Sequence, residues 1–325
     1  MTITGSILIT GGAGSFGQAF CRYLLDRQDP QRVIVYSRDE YKHAHMAQTF
    51  TDSRMRYFIG DVRDQERLTT AFQGVDTVVH AAALKRVDAI AYNPDEAMKT
   101  NVWGTHNVLN AARDAGVERV LLISSDKAVH PTNHYGMTKG MAEHLSVGAN
   151  IYGVPQSVRS ACVRYGNVLG SRGSVVHLFR EMVGRHGPVR ITDHRMTRFW
   201  LTLTHACELV RFALETMQGG EIFVPKIKTA SVSVLAAAIG GPDWPMQETG
   251  LRVGGEKLHE ALLSDEEPGR TYDLGEAYAV LPHPHPWRAT WEPEGEKVPD
   301  GFRYTSDTAF RYSVEELREL LKDVP

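Results

Sequence analysis

The sequence predicts an α/β fold, with a doubly wound parallel sheet in the first half and a smaller α/β unit in the second. Two observations carry this prediction. The short apolar runs of the first half are continuous and not alternating, as in strands that are buried on both faces of a sheet. Amphipathic segments separate these runs, and this strand–helix rhythm is typical of parallel sheets covered by helices on both sides.

Six apolar runs are the predicted strands of the sheet. In chain order they are residues 7–10, 33–36, 55–60, 77–83, 120–125 and 160–165. Helices are expected between them, and the best delimited is 94–115. Asn93 is a candidate N-cap of that helix, Pro94 favours its first turn and Gly116 favours its end.

The rhythm loosens after about residue 166, where glycine and proline interrupt the chain more often. Short strands such as 221–224 alternate there with helical patterns at 175–186, 205–217 and 313–323. We therefore expect a cofactor-binding Rossmann domain over 1–165, with returning segments around 190–225. Residues 166–325 are expected to form a mainly substrate-binding domain.

Composition and charge exclude several classes of function. The chain has 325 residues, 42% of them hydrophobic, and a net charge of −3 with mixed signs. Such a balance indicates neither a nucleic-acid surface nor a membrane-binding patch. No apolar run approaches the roughly 20 residues that cross a bilayer, and the N-terminus lacks the pattern of a signal peptide.

The cysteines indicate a reducing compartment. The three of them are dispersed and lack metal-ligand spacing: Cys21, Cys162 and Cys207. His283 and His285 in "HPHPW" have no acidic or cysteine companions, so we expect no metal site there. The sequence therefore predicts a cytoplasmic protein without a metal.

A glycine-rich turn follows the first strand. In "TGGAGSFG" glycines 11, 14 and 17 stand directly before an amphipathic helix predicted over 18–27. Glycines at this spacing allow a tight turn, close approach of backbone N–H groups to a pyrophosphate and close helix–strand packing. The pattern G-x-x-G-x-x-G resembles that of the extended short-chain dehydrogenases/reductases.

The end of the second strand favours NADP over NAD. An NAD site places an acid there, whereas this chain has Ser37 and Arg38, with Lys42 close by. A hydroxyl and two cations suit a 2′-phosphate. In the competing interpretation Asp39 holds the ribose of NAD and Arg38 is a solvated loop residue. Asp61, after the third strand, is a candidate for the adenine contact, although an acid in that position is also a common helix cap.

The stretch "SSDKAVHPTNHYGMTK" holds the candidate catalytic residues. Tyr135 and Lys139 stand four residues apart near a predicted helix start, so their side chains share one face. A lysine beside the phenol and the cofactor ribose stabilises the phenolate, which then takes a proton from a substrate alcohol. Ser125 is expected to orient the sugar hydroxyl, although it is also a plausible turn cap.

Many segments together resemble the inverting UDP-N-acetylglucosamine 4,6-dehydratases, over essentially the whole chain. They include "ITGGAGSFG", "SRDE", "GDVRD", "HAAALKRVD", "YNPDEAMKTNVWGT", "SSDKAV", "YGMTK", "VRYGNVLGSRGSV", "MTRFWLT", "GGEIFVPKI", "GEKLHE" and "DGFRYTSDT". The resemblance implies tightly held NADP, UDP-GlcNAc as substrate and inversion at carbon 5. It also implies a role in pseudaminic acid and other bacterial surface sugars, and a homo-oligomer, either a dimer or a hexamer.

The resemblance assigns a second role to the catalytic stretch. In these dehydratases oxidation at carbon 4 acidifies the proton on carbon 5, a base removes it, an acid protonates the departing hydroxyl on carbon 6, and the hydride returns there. Retaining members resemble "TDE" where this chain has "SDK". Asp126 is then the expected acid and Lys127 the expected base. A retaining 4,6-dehydratase or a 4-epimerase on a UDP-hexosamine is the alternative.

The remaining site residues are carried over from the matching motifs. The cofactor set comprises Gly11, Gly14, Ser15, Phe16, Gly17, Ser37, Arg38, Lys42, Asp61, Val62, Ala81, Ala82, Tyr135 and Lys139. The substrate set comprises Lys85, Ser124, Ser125, Asn167, Arg172, Thr197, Arg198 and Arg252. The family has Arg-Pro-Gly before "EKLHE", whereas this chain has "LRVGG". Arg252 therefore either reaches the diphosphate through a bulged loop or makes a weaker contact.

Overall fold

A computed structural model describes residues 2–151, 158–252, 254–284 and 293–324. The first half forms a parallel sheet in the order β3-β2-β1-β4-β5-β6. Its strands are β1 Ser6–Thr10, β2 Arg32–Ser37, β3 Met55–Ile59, β4 Thr77–His80, β5 Arg119–Ser125 and β6 Arg159–Tyr165. The predicted fold class is confirmed, and all six predicted strands are present.

Alternate residues of each strand supply two cores, one on each face of the sheet. Ile7 and Ile9 of β1 pack with one apolar cluster, and Leu8 packs with another. All three side chains are fully buried. Burial on both faces is why these strands are continuous apolar runs.

One strand is shorter than predicted. The fourth run was expected over 77–83, but β4 ends at His80. Beyond it the backbone N–H groups of Ala81 and Ala82 bond to Thr10 at the end of β1, to the carbonyl and the hydroxyl oxygen respectively. These alanines form a loop at the carboxyl edge of the sheet, so their apolar character reflects close packing and not strand structure.

Helices cover both faces of the sheet in the first half. They are α1 Ser15–Arg27, α2 Glu40–Thr49, α3 Gln65–Ala71, α4 Val87–Tyr92, α5 Pro94–Ala97, α6 Gly104–Ala115 and α7 His134–Gly148. The helix predicted over 94–115 contains a π-helical segment, Met98–Trp103, between α5 and α6. Gly116 ends it with φ +73°, as expected of a C-terminal glycine. Asn93 occupies the N-cap position with Pro94 in the first turn, as predicted, but its side chain does not cap the helix, because the Asn93 amide donates to the carbonyl of Ala89.

The second half extends the same sheet and adds smaller units. Its strands are β7 Asn167–Val168, β8 Val189–Ile191, β9 Thr197–Leu201, β10 Ile222–Pro225, β11 Thr229–Ser231, β12 Met246–Glu248, β13 Thr271–Asp273, β14 Ala277–Val280 and β15 Glu296–Lys297. Strand β10 pairs in parallel with β6, and β14, β13 and β15 continue the sheet antiparallel. Strands β7, β9 and β11 form a separate three-stranded sheet, and β8 pairs with β12.

The remaining helices divide between the main sheet and a second core beside the small sheets. They are α8 Val175–Gly184, α9 Leu203–Thr216, α10 Val232–Gly240 and α11 Val314–Leu320. Phe179 of α8, Leu235 of α10 and Leu317 of α11 are buried together in one cluster, whereas α9 packs beside α1. Among the helices that the structure describes, none is long and apolar enough to pass through a lipid bilayer.

Candidate active site

The glycine-rich turn between β1 and α1 offers a cradle for a pyrophosphate. Gly11 has φ +66°, and a Cβ there would lie 2.8–2.9 Å from the backbone of Ala82. A Cβ on Gly17 would overlap the backbone of Gly12, so the helix and the turn touch directly. The N-cap Gly14 has no side chain, and no described side chain caps α1. The first-turn N–H groups therefore remain available to an anion.

Ser15 and Phe16 begin α1 beside this turn. The Ser15 hydroxyl accepts a hydrogen bond of 3.0 Å from the backbone N–H of Arg172, which joins the cofactor turn to the loop after β7. Phe16 stacks on Phe20 with ring centroids 5.6 Å apart. The predicted residues of α1 thus lie at the carboxyl edge of the sheet, where cofactors bind in doubly wound folds.

The end of β2 carries the groups predicted to distinguish NADP from NAD. The Ser37 hydroxyl lies 2.6 Å from Nε2 of His43. Arg38 is half exposed, with its guanidinium 3.6 Å from Asp61. Asp39 caps α2 by accepting from the Lys42 N–H, and it also pairs with the Lys42 ammonium. Asp39, which the competing interpretation assigns to the ribose of NAD, is therefore already engaged as a helix cap.

Asp61 and Val62 follow β3 at the same edge. Burial raises the pKa of the Asp61 carboxyl, but hydrogen bonds from Arg63 outweigh this effect and hold the pKa below its usual value. Asp61 also accepts a hydrogen bond at its backbone carbonyl from Tyr36. Val62 is buried against Gly104, where a larger residue would clash with its side chain.

The catalytic stretch turns sharply at the end of β5. Ser125 caps a single 3₁₀ turn, Asp126–Ala128, by accepting from the Lys127 N–H at 3.2 Å. Its hydroxyl donates to Oδ1 of Asp126 at 2.8 Å. Asp126 is fully buried, and its Oδ2 has no partner among the described residues. The buried Ser124 hydroxyl likewise has no hydrogen bond within the described part of the chain.

The Lys127 ammonium points into a polar pocket. It donates to Oδ1 of Asp126 at 3.0 Å and to Oδ1 of Asn167 at 3.3 Å. Oε1 of Glu260 lies 3.6 Å away. Burial lowers the pKa of Lys127 and the charge of Arg198 lowers it further, but Asp126 and Glu260 outweigh both and raise it above its usual value.

Helix α7 presents Tyr135 and Lys139 to this turn. Asn133 caps the helix through the N–H of Gly136. A Cβ on Gly136 would overlap the Lys127 carbonyl, so glycine lets the helix approach the turn closely. The Tyr135 phenol lies close to Ser125 and Lys127, and burial raises its pKa although both neighbours oppose the shift.

Lys139 lies deeper than Tyr135. It is buried, and its ammonium donates to the carbonyl of Ile123 at 2.5 Å. Burial lowers the pKa of Lys139 to about 8, although the neighbouring carboxylate of Glu143 opposes this shift. Ser125, Asp126 and Lys127 therefore form one connected group, with Tyr135 beside it and Lys139 buried further along α7.

The predicted substrate residues fall into two sets. Asn167 joins the connected group through Lys127, and Arg198 approaches Glu260 with 3.9 Å between Nε and Oε1. Arg198 is buried, and its terminal nitrogens donate to the carbonyls of Thr197 and Leu258 and to the Met196 sulfur. The Thr197 hydroxyl lies 2.8 Å from His259. These residues tie β9 to the segment that carries Glu260.

The other set has no described contact with the Asp126–Lys127 pair. Arg172 is exposed on the loop that meets Ser15. Lys85 lines a surface cavity together with Arg38 and Glu96. Arg252 is largely exposed, with its guanidinium 3.7 Å from Glu256, and no contact described in the structure joins Arg252 to Lys127. Their substrate contacts stay predictions.

Three side chains at the site were not predicted. Glu260 is buried beside Lys127, and Lys257 pairs with Glu260 at 2.7 Å and donates to the Val129 carbonyl at 2.8 Å. Asn101 bonds both backbone groups of Leu84 and the hydroxyl of Thr138 in α7. All three stand in segments that resemble the family, "GEKLHE" and "TNVWGT", but nothing local to those segments indicates that Glu260 and Asn101 are buried or that Lys257 pairs with Glu260.

No group of acidic, histidine or cysteine side chains in the described residues has the arrangement of a metal site. His283 is exposed, and His285 lies outside the described residues. The phenol of Tyr135, the carboxyl group of Asp126 and the amine of Lys127 are groups that can transfer protons, and they stand at the carboxyl edge of the parallel sheet.

Curated relatives match nearly the whole chain. The UDP-N-acetylglucosamine 4,6-dehydratase (inverting) of Campylobacter jejuni strain 81-176 is 43% identical, over 97% of this chain and 96% of its own length. A protein named UDP-glucose 4-epimerase from Rickettsia bellii strain RML369-C is 37% identical, over 99% of this chain and 96% of its own length.

Solved structures share the fold. The structure of Pen from Bacillus thuringiensis has a TM-score of 0.88 at 34% identity, with 98% of both chains covered. A dTDP-glucose 4,6-dehydratase from Streptomyces venezuelae, solved with NAD bound, has a TM-score of 0.70 at 25% identity, over 78% of this chain and 86% of that one.

The family model described as "Polysaccharide biosynthesis protein" matches residues 7–282. Together with full-length identity above 40% to an inverting dehydratase, this match confirms the resemblance found in the sequence. The chain belongs to the polysaccharide biosynthesis protein family, within the extended short-chain dehydrogenases/reductases.

Proposed function

We propose that this chain is an inverting UDP-N-acetylglucosamine 4,6-dehydratase, a lyase that uses NADP. It converts UDP-GlcNAc to UDP-2-acetamido-2,6-dideoxy-β-L-arabino-hex-4-ulose. The observation that carries the proposal is the hydrogen-bonded pair of Asp126 and Lys127 beside Tyr135. A 4-epimerase needs the tyrosine but has no use for an acid and a base at carbons 6 and 5.

The cofactor chemistry fits the cradle at α1. A bound nicotinamide would accept the hydride from carbon 4 and return it to carbon 6. The uncapped helix N-terminus suits the pyrophosphate, and Ser37, Arg38 and Lys42 suit a 2′-phosphate. Engagement of Asp39 in the cap of α2 supports NADP over NAD.

Tyr135 takes the proton of the carbon 4 hydroxyl in this proposal. Ser125, which lies beside the phenol, orients that hydroxyl. Lys139, and Lys127 beside the ring, supply the positive charge that a phenolate needs. The pKa of the Tyr135 phenol is raised in the site without substrate. The positive charges of the two lysines are therefore expected to stabilise the phenolate once the substrate hydroxyl is in place.

Asp126 and Lys127 perform the elimination. Lys127 removes the carbon 5 proton, and Asp126 gives a proton to the carbon 6 oxygen, which leaves as water and gives a double bond between carbons 5 and 6. Return of the hydride to carbon 6 would leave carbon 5 to take a proton from solvent on the face opposite the one that lost it, which inverts carbon 5. The raised pKa of Lys127 favours an ammonium in the resting site. Transfer of one proton along the 3.0 Å hydrogen bond turns the ammonium and carboxylate into the amine and carboxylic acid that the reaction needs.

Substrate binding is assigned to the second half of the chain. We infer that residues 166–325 mainly hold the UDP-sugar, through Asn167, Arg172, Thr197 and Arg198, with Lys85 contributing from the first domain. We also infer a homo-oligomeric cytoplasmic enzyme in bacterial surface-sugar synthesis. Free, buried cysteines at 21, 162 and 207 support a reducing compartment.

Mass spectrometry of the sugar nucleotide tests this function. Incubation with UDP-GlcNAc is expected to give a product that has lost one water. A product of unchanged mass with inverted carbon 4 would instead establish the epimerase alternative.

A further inference from the structure

Glu260 is a buried carboxylate at the site, and the proposed reaction gives it no role. It is 3% exposed, and its Oε1 lies 3.6 Å from the Lys127 ammonium. Its backbone is fixed by two hydrogen bonds with Ser306, one from the Glu260 N–H to the hydroxyl and one from the Ser306 N–H to the Glu260 carbonyl. A fixed carboxylate this close to an amine stabilises the ammonium form and so raises the pKa of the amine.

Two further cations share the charge of Glu260. Lys257 pairs with Oε2 at 2.7 Å, and Nε of Arg198 lies 3.9 Å from Oε1. Burial raises the pKa of the Glu260 carboxyl, but Lys127, Arg198 and Lys257 outweigh it and keep the carboxyl ionised. Glu260 is therefore held between the proposed base and two fixed cations.

The charges around Lys127 determine whether it is an ammonium or an uncharged amine. Asp126 and Glu260 bring two negative charges, and Arg198 and Lys257 bring two positive ones. When the Lys127 proton passes to Asp126, as the proposed reaction requires, Glu260 is the one carboxylate of this group that stays charged, and Arg198 and Lys257 face it with two positive charges, which favours the uncharged amine of Lys127. With Lys257 removed, two carboxylates would face Lys127 with one compensating cation, which favours the ammonium.

We propose that Lys257 is a positioning residue for the base: by pairing with Glu260 it withholds that carboxylate from Lys127 and lets Lys127 become a neutral amine. The effect of Lys257 on catalysis rests on the proposed function, whereas the titration of Lys127 that tests the inference does not. The titratable and charged groups that face Lys127 are Asp126 in its own turn, Tyr135 from α7, Arg198 from β9, and Glu260 with Lys257 from the segment before residue 261.

The test is a direct titration of Lys127 in the full-length protein. Lysine labelled with carbon-13 at Cε reports each amine by NMR, and the Lys127 signal is assigned by its loss in Lys127→Arg. We expect the midpoint of Lys127 to rise by about one pH unit in Lys257→Met and to fall by about one unit in Glu260→Gln. Lys257→Arg keeps the charge and is expected to leave the midpoint near that of the unmodified protein.

A matched control is Lys228→Met, which breaks a lysine–glutamate pair with Glu316 that is exposed. It is expected to leave the Lys127 midpoint in place. Unchanged midpoints in both Lys257→Met and Glu260→Gln would overturn the inference.

The pH profile of dehydration separates this inference from the proposed function. The rate should rise with pH as Lys127 loses its proton, and this rise should move with the Lys127 midpoint. At pH values below the midpoint Lys257→Met should be slower by about tenfold, and at higher pH its rate should recover. A purely structural effect would lower the whole profile without moving this rise. Midpoints that shift in a protein without dehydratase activity would refute the function and leave the inference standing.

Discussion

The ammonium of Lys127 donates a 3.0 Å hydrogen bond to the carboxylate of Asp126, the residue before it in the chain. The short 3₁₀ turn after β5 makes this contact possible, because it folds two consecutive side chains toward the same pocket. An acid and a base that share a proton in this way suit a reaction that removes one proton and delivers another.

Replacement of Lys127 should separate the two halves of the proposed reaction. In Lys127→Ala we expect reduced nicotinamide to form from UDP-GlcNAc, because Tyr135 and Lys139 remain. Elimination should fall by at least about a hundredfold, since the base is missing. Absorbance of the reduced nicotinamide and NMR of the sugar follow the two steps. Full dehydratase turnover by the variant would disprove the assignment of the base.

Arg38 should select NADP over NAD. Arg38→Ala is expected to weaken NADP binding by about tenfold or more through loss of a charge-assisted contact with the 2′-phosphate, and to leave NAD binding unchanged. Fluorescence titration of both cofactors measures the difference. Arg185→Ala, in an exposed pair with Glu181, is the control. Equal losses for both cofactors would contradict the prediction.

Arg164 should be a main contributor to stability. It is buried in β6 and makes two hydrogen bonds each to Glu143 of α7 and to Glu267 of the C-terminal half. Arg164→Met strands two buried carboxylates, so the free energy of unfolding should fall by about 3–5 kcal/mol. Denaturant unfolding tests this, and Arg86→Met, at an exposed pair, should cost at most about 1 kcal/mol. A similar small loss for both variants would refute the prediction.

His80 should make the fold sensitive to acid. It is buried between the hydroxyls of Thr10 and Thr105, and burial lowers its pKa from 6.5 to about 3. Between these pH values the unfolded chain binds one more proton, so His80 contributes stability above pH 6.5 that is lost as the pH falls toward 3.

The substitution His80→Gln should remove this contribution to the pH dependence. The slope of the unfolding free energy against pH is expected to decrease by up to about 1.4 kcal/mol per pH unit within that range. Denaturant unfolding at several pH values measures the slope. Parallel pH dependences of the two proteins would show that His80 does not titrate in this way.

The parallel sheet was predictable because burial on both faces leaves a strong local signal. Apolar loop residues produce the same signal, which is why 77–83 was predicted as strand although β4 ends at His80. The π-helical segment Met98–Trp103 was not predictable, because its cause is not local. There the buried Asn101 binds the loop at Leu84 with its side chain.

That Ser125, Asp126, Lys127 and Tyr135 lie together was also predictable, since they are close in sequence and carry distinctive chemistry. The positions of Glu260 and Lys257 at the site were not predictable, because the sequence does not show which of its many charged residues folds against Lys127. Only the folding of the segment before residue 261 onto the 3₁₀ turn brings them together.

The most direct test of the central claim is the fate of carbon 5 in deuterated water. The protein is incubated with UDP-GlcNAc, and the product is analysed by proton and carbon NMR. We predict a 4-keto-6-deoxy sugar of the L-configuration that carries deuterium at carbon 5. A product that keeps the D-configuration at carbon 5, or a 4-epimer that has lost no water, would contradict the roles proposed for Asp126 and Lys127.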